Sequence, residues 1–165
     1  MPPPENTRQH ADTADAHAQH TAPPADGPIF LVFNQKSGQD QAQAFREAVT
    51  QACAAAGRPL QLLEAKRGDE LPALTQQAVR QAQREHGLAV AAGGDGTINQ
   101  VAHSVLAAGV PLGVLPQGTF NYFSRTHHLP ADPAQGMDVV LNGQLRAVQA
   151  GLVNEQVFLV NASVG

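Results

Sequence analysis

Residues 89–105 read AVAAGGDGTINQVAHSV. An apolar, strand-like run meets glycines on both sides of one aspartate, Asp95, and a helical pattern resumes at Thr97. Glycines at a strand-to-helix turn permit left-handed backbone angles and let a ligand approach without meeting a Cβ. The helix start adds unpaired N–H groups and roughly half a unit of positive charge. Together these make an anion site, and phosphate is its usual occupant. Asp95 is the anomaly, because a carboxylate beside a phosphate repels it. It makes sense if it holds a metal ion, directly or through water, or accepts a proton from an attacking hydroxyl. The alternative is that Asp95 caps the helix that follows. Both readings stand on the loop alone.

The elements around this loop follow from periodicity. PIFLVFN (28–34) is a continuous apolar run of the kind a strand buried on both faces shows. DQAQAFREAVTQACAAAG (40–57) has helical spacing, with Gly57 as its stop, and PLQLLEA (59–65) is a second strand. Asp69 is expected to cap a helix running to His86, with Pro72 in its first turn and Gly87 ending it. LAVAA (88–92) is strand three, TINQVAHSVLAAG (97–109) a helix and VPLGVLP (110–116) strand four. A short helix is predicted near Asn121 and another over 133–143, weakened by Gly136. Residues 145–154 and 156–162 read as two late strands joined through Asn154-Glu155.

Strands alternating with helices predict an α/β fold, a mostly parallel sheet flanked by helices. Right-handed connections gather the loops after the strand C-termini on one edge. Three polar, glycine-bearing loops fall there: NQKSG (34–38), GGDG (93–96) and QGTFN (117–121). Neither common phosphate signature is present. No lysine follows Gly94, as Walker A requires, and no G-x-G-x-x-G occurs.

Composition narrows the classes. The 165 residues suit one domain, and a net charge of −4 with 15% charged residues speaks against nucleic acid as a partner. The single cysteine, Cys53, lies on the apolar stripe of a predicted helix and suits a reducing compartment. No apolar run nears the roughly 18–20 residues of a membrane span. Residues 1–27 hold five prolines and no large apolar residue after Met1, so they are expected to be a disordered tail in which His10, His17 and His20 are incidental.

GGDGTINQVA, followed after one helix and one strand by LPQGTFNYFSR, resembles the catalytic domain of the diacylglycerol kinase family. That family includes bacterial lipid kinases and sphingosine kinases and is related more distantly to NAD kinases. FNQKSG (33–38) is similar to its first motif, with Gln35 in place of proline. The resemblance runs from Pro28 to Gly165. It implies an NAD kinase/diacylglycerol kinase-like N-terminal domain that binds ATP and Mg2+ and phosphorylates a diacylglycerol-like lipid hydroxyl. By position, Asn34, Gln35, Lys36, Ser37 and Gly38 would line the nucleotide. Gly93, Gly94, Asp95, Gly96, Thr97, Ile98, Asn99 and Gln100 would cradle its phosphates, with Asp95 as catalytic and metal-linked residue. Gly118, Thr119 and Asn121 would complete the site.

Three positions depart from the family pattern. Tyr122 and Gln149 stand where the family commonly has aspartates, and Glu64 where lipid kinases often carry threonine. The resemblance also implies a β-rich second domain, which residues 28–165 do not contain, so the activity of this chain by itself is in question. The expected location is cytoplasmic, with peripheral contact at the inner membrane and a homodimer left open. Two other functions stay in view: an NAD kinase, and a nucleotide-binding module or fragment without turnover. Of Phe120, Tyr122 and Phe123, which could present rings to adenine or lipid, at least one is expected to pack as core.

Overall fold

A computed structural model describes residues 27–34 and 38–159. The expected tail (1–26), the loop residues Gln35, Lys36 and Ser37, and the end of the last predicted strand (160–162) lie outside the described residues.

Four parallel strands form one sheet in the order β2-β1-β3-β4: β1 Ile29–Asn34, β2 Leu60–Ala65, β3 Leu88–Gly93 and β4 Leu112–Pro116. The inner strands β1 and β3 are buried at every residue. Their apolar runs do not alternate because each successive side chain finds a helix on its own side. Phe30, Val32, Ala89 and Ala91 face one core with α2 (Leu71–Glu85) and α3 (Asp95–Ala108). Ile29, Leu31, Phe33, Val90 and Ala92 face the other, with α1 (Gln39–Ala55) and α5 (Pro133–Asn142). This is the expected α/β architecture, and it puts the loops after β1, β3 and β4 on one edge.

Several local expectations are corrected. Asp69 caps nothing: it sits in a 3-10 turn, Gly68–Glu70, and pairs with Arg67 at 3.2 Å. Glu70 does the fastening instead, accepting the N–H groups of Lys66 at 2.9 Å and Arg67 at 3.2 Å. The left-handed residue ending α2 is His86 (φ 52), not Gly87. Gly87 is glycine because a Cβ there would run into the carbonyl oxygen of Pro28. Helix α3 begins at Asp95 rather than Thr97. Gly136 does not merely weaken α5; a Cβ there would stand 2.6 Å from the Leu115 side chain, so it lets the helix close on the sheet.

Among the described residues the late strands are β5 (Gly151–Val153) and β6 (Gln156–Phe158), an antiparallel hairpin whose first strand starts later than the predicted 145. Its turn is Asn154-Glu155, both with positive φ (48° and 64°), as a tight two-residue hairpin turn requires. Residues 143–150 have no regular structure. Their strand-like composition finds no partner strand among the described residues.

Candidate functional site

The rim at the carboxyl ends of the strands is built by side chains that hold loops to one another. Asn34, the last residue of β1, donates its Nδ2 to Thr97 Oγ1 at 3.2 Å, and both residues are buried. The end of β1 is thereby tied to the first turn of α3. Gly93 makes the tie possible, since a Cβ there would stand 2.7 Å from the Thr97 side chain. The loops after β3 and β4 touch through bare main chain. A Cβ on Gly118 would lie 2.5 Å from the Cα of Gly94. Gln117 N–H also donates to the Gly93 carbonyl at 2.9 Å.

Asn121 shapes the second loop from within. It takes the left-handed conformation (φ 50), which asparagine tolerates better than most residues. Its carboxamide brackets Gly118, accepting that residue's N–H at 2.9 Å and donating to its carbonyl at 2.7 Å. The short helix α4 (Tyr122–Thr126) starts immediately afterwards.

Asp95 closes the rim. Its carboxylate accepts the N–H of Tyr122 at 3.1 Å and that of Phe123 at 3.3 Å. It is a cap, but of α4 and not of its own helix, where Gly94 occupies the capping position without a side-chain bond. Each carboxylate oxygen keeps a further lone pair, so the capping bonds leave room for a cation or a proton. The first helical bond of α3 runs from Ile98 N–H to the Gly94 carbonyl. The N–H groups of Asp95, Gly96 and Thr97 therefore lack an intrahelical acceptor.

The glycines serve differently from the expectation of left-handed angles. The glycines with positive φ are Gly57 and Gly109, both at helix ends away from the rim. Gly93, Gly94 and Gly118 are small because backbone or Thr97 lies against them. Gly96 is the exception: a Cβ there would meet no atom within 4 Å. Packing does not demand glycine at that position, and its bareness leaves open space over the first turn of α3. Gly38, at the start of α1, faces open space in the same way.

The remaining candidates divide. Ile98 is fully buried in the core. Asn99 Oδ1 accepts the N–H of Leu159 at 3.0 Å, and one turn on, His103 Nδ1 accepts that of Val157 at 3.4 Å. These two side chains dock the β5–β6 hairpin on α3, a role that their four-residue spacing permits but does not announce. Thr119 is exposed, and Gln100 is half-buried one turn behind the rim. Phe123 is core, as expected of one ring, whereas Phe120 and Tyr122 stack on each other in solvent.

Glu64 is not a free acid near the rim. Arg46 grips it with two bonds, at 2.8 and 3.0 Å, and donating to the Glu64 carboxylate raises the Arg46 pKa. Gln149 is exposed in the irregular segment. Among the described residues no group of three His, Cys, Asp or Glu side chains could hold a metal. A cation here would rest on Asp95, waters and the oxygens of a bound phosphate.

A parallel sheet flanked by helices, with main-chain donors and one carboxylate at its carboxyl-end rim, defines an α/β domain with a candidate anion site. The chain matches the diacylglycerol kinase catalytic domain over residues 28–153 and belongs to that family. A diacylglycerol kinase of Staphylococcus epidermidis is 32% identical over 139 residues, which cover 82% of this chain and 42% of the relative. One of Staphylococcus saprophyticus is 37% identical over 95 residues, 55% of this chain and 30% of the relative. A crystal structure of a diacylglycerol kinase from Bacillus anthracis str. Sterne superposes with a TM-score of 0.68 at 26% identity, over 81% of this chain and 46% of the other. The chain thus spans under half the length of the relatives it matches.

Proposed function

We propose that this chain is the nucleotide-holding part of an ATP-dependent lipid kinase, one that transfers the γ-phosphoryl group of ATP to the hydroxyl of a diacylglycerol-like lipid. The observation that carries this reading is the fastening of two loops by Asp95: the same residue opens α3, whose first N–H groups have no intrahelical acceptor, and its carboxylate holds the start of α4. The N–H groups of Asp95, Gly96 and Thr97 would receive phosphate oxygens, with room left by the missing side chain at Gly96. Gly38, and the neighbouring Gln35, Lys36 and Ser37, would close the nucleotide side. Magnesium, when bound, would supply positive charge to offset that of the phosphates. Asp95 would orient that cation or take the proton of the attacking hydroxyl through its outer lone pairs. In this reading residues 28–165 form the nucleotide domain, and a β-rich unit supplies the opposite wall of the cleft.

Calorimetry with Mg-ATP tests the first half. Binding is expected in the wild-type chain and at least tenfold weaker binding in Asp95→Ala; equal affinity in the variant would reduce Asp95 to a structural cap. Phosphorylation of diacylglycerol in mixed micelles tests the second half. One observation favours a second reading, a module that binds nucleotide without turnover: among the described residues Asp95 belongs to no cluster of three His, Cys, Asp or Glu side chains that could share a cation. Mg-ATP binding without any lipid phosphorylation by this chain supports that module, and phosphorylation by the isolated chain excludes it.

A further inference from the structure

Among the described residues, the exposed large apolar side chains are Leu106, Phe120, Tyr122, Val139, Val148 and Leu152. Phe120 and Tyr122 differ from the rest in chemistry and in place. Their rings are stacked almost parallel, with centroids 5.6 Å apart and planes 3° apart. They are 60% and 46% exposed, and the backbone N–H of Tyr122 is one of the two that Asp95 holds. Two rings stacked beside the rim, with about half of their surface in water, form an apolar point that the fold itself does not use.

We propose that the Phe120–Tyr122 pair is a lipid-surface contact that brings the Asp95 rim to the headgroup level of an anionic bilayer. This rests on the lipid-kinase reading, because such an enzyme must meet an acceptor that resides in a membrane. Aromatic rings, tyrosine above all with its polar tip, favour the boundary between headgroups and acyl chains. The local charge points the same way. The whole chain carries −4, yet residues 96–131 contain no aspartate or glutamate. The exposed Arg125 lies one helical turn beyond Tyr122, and the exposed His127 and His128 follow it. The Asp95 carboxylate, which holds Tyr122, is drawn onto the amides of α4. One arginine and two rings give a weak, reversible hold, since firm attachment needs more buried area or more charge. No helix among the described residues is long and apolar enough to cross a membrane. The competing occupant, a purine stacked on the pair, is an outcome of the same test.

The chain supplies its own probe. Tyr122 is the only tyrosine and there is no tryptophan, so intrinsic fluorescence reports on this position alone. With vesicles of phosphatidylcholine and phosphatidylglycerol, quenching of Tyr122 by aqueous acrylamide is expected to fall at least twofold. A nitroxide carried on the lipid is expected to quench it, and added salt to reverse both effects. Pure phosphatidylcholine vesicles should protect less. Phe120→Ser should weaken partitioning about tenfold, and Arg125→Gln should weaken it on anionic vesicles only. Leu106→Ser, away from the rim, should change nothing. Circular dichroism confirms that each variant is folded.

Three results overturn the contact: vesicles leave Tyr122 fully open to acrylamide, or vesicles bind while Tyr122 stays open, or Mg-ATP protects Tyr122 and vesicles do not. The last outcome assigns the pair to the purine. Mg-ATP binding with no vesicle protection defeats this contact and leaves the nucleotide site standing; vesicle protection without Mg-ATP binding does the reverse.

Discussion

The two edges of the sheet are finished in opposite ways. At the β2 edge the Arg46–Glu64 ion pair at 2.8 Å and the exposed Lys66 and Arg67 surround the strand with charge, a common guard against edge pairing. The β4 edge borders an apolar groove of about 1020 Å3, with Leu106, Val139 and Val148 exposed along it. Between them, β1 and β3 are wholly buried. The contrast locates stability and surface activity separately. The interior and the β2 side hold the fold together, and every exposed large apolar side chain among the described residues falls from Leu106 onward, on the β4 side or at the rim.

The largest expected effect tests where stability resides. Phe33 is 1% exposed and stacks on Phe45 with ring centroids 4.5 Å apart. Phe33→Ala is expected to cost about 3–5 kcal/mol in urea unfolding. Val148→Ser, at the β4 groove, is expected to stay within about 0.5 kcal/mol. A comparable loss at Val148 would break the contrast between the two sides.

Next comes the junction of the loops. Gly118→Ala places a methyl 2.5 Å from the Gly94 Cα, a backbone atom that cannot swing away. The loops must part, at a cost of about 1–3 kcal/mol, and the amides of Tyr122 and Phe123 should exchange faster. Mg-ATP affinity should fall with them. If only stability falls, the junction serves the fold and not the site. Asp95→Ala removes one acceptor from two α4 amides and should cost about 1 kcal/mol. Asp95→Asn keeps one acceptor oxygen and should lose less stability than Asp95→Ala. A larger loss of nucleotide affinity than of stability in Asp95→Asn would separate a role for the charge from capping.

The interior was legible in the sequence because buried parallel strands leave unbroken apolar runs, as in IFLVFN, and helices leave spaced ones. Cys53 follows that rule: it is buried on α1, and burial raises its thiol pKa. The rim was legible as a set of loops but not as a mechanism of assembly. Asp95 looked like a cap or a metal residue of the helix after it; that it caps a different helix depends on a contact across 27 residues, which no local pattern encodes. At Gly93 and Gly118 the expected left-handed angles give way to close packing, because sequence shows a missing side chain and not what stands against it. The late hairpin and its Asn154-Glu155 turn form as expected, but its first strand is shorter than the pattern suggests. Residues 145–150 have strand composition, but a strand exists only against a partner, and β4 does not pair with them.

The smallest expected effect uses Glu70 as the β2-side counterpart of Asp95. Each is a carboxylate holding two main-chain N–H groups, but Glu70 fastens the loop after β2, two strands along the same carboxyl edge from the β3 loop that carries Asp95. Its pKa is lowered first by the Arg67 N–H, then by that of Lys66, with nearby charge adding and desolvation opposing. Since the folded value lies below the unfolded one, its contribution is present above the ordinary glutamate range and is lost as pH falls through the depressed folded value. Urea midpoints of wild type and Glu70→Gln should therefore differ slightly at neutral pH and converge on acidification. A gap that does not narrow would mean that the carboxylate's charge is not what the amides hold. Glu70→Gln should also leave Mg-ATP affinity unchanged. If removing this cap on the β2 loop weakened nucleotide binding as much as Asp95→Asn does, the effect at Asp95 would reflect general loosening, and the functional separation between the two sides of the sheet would fail.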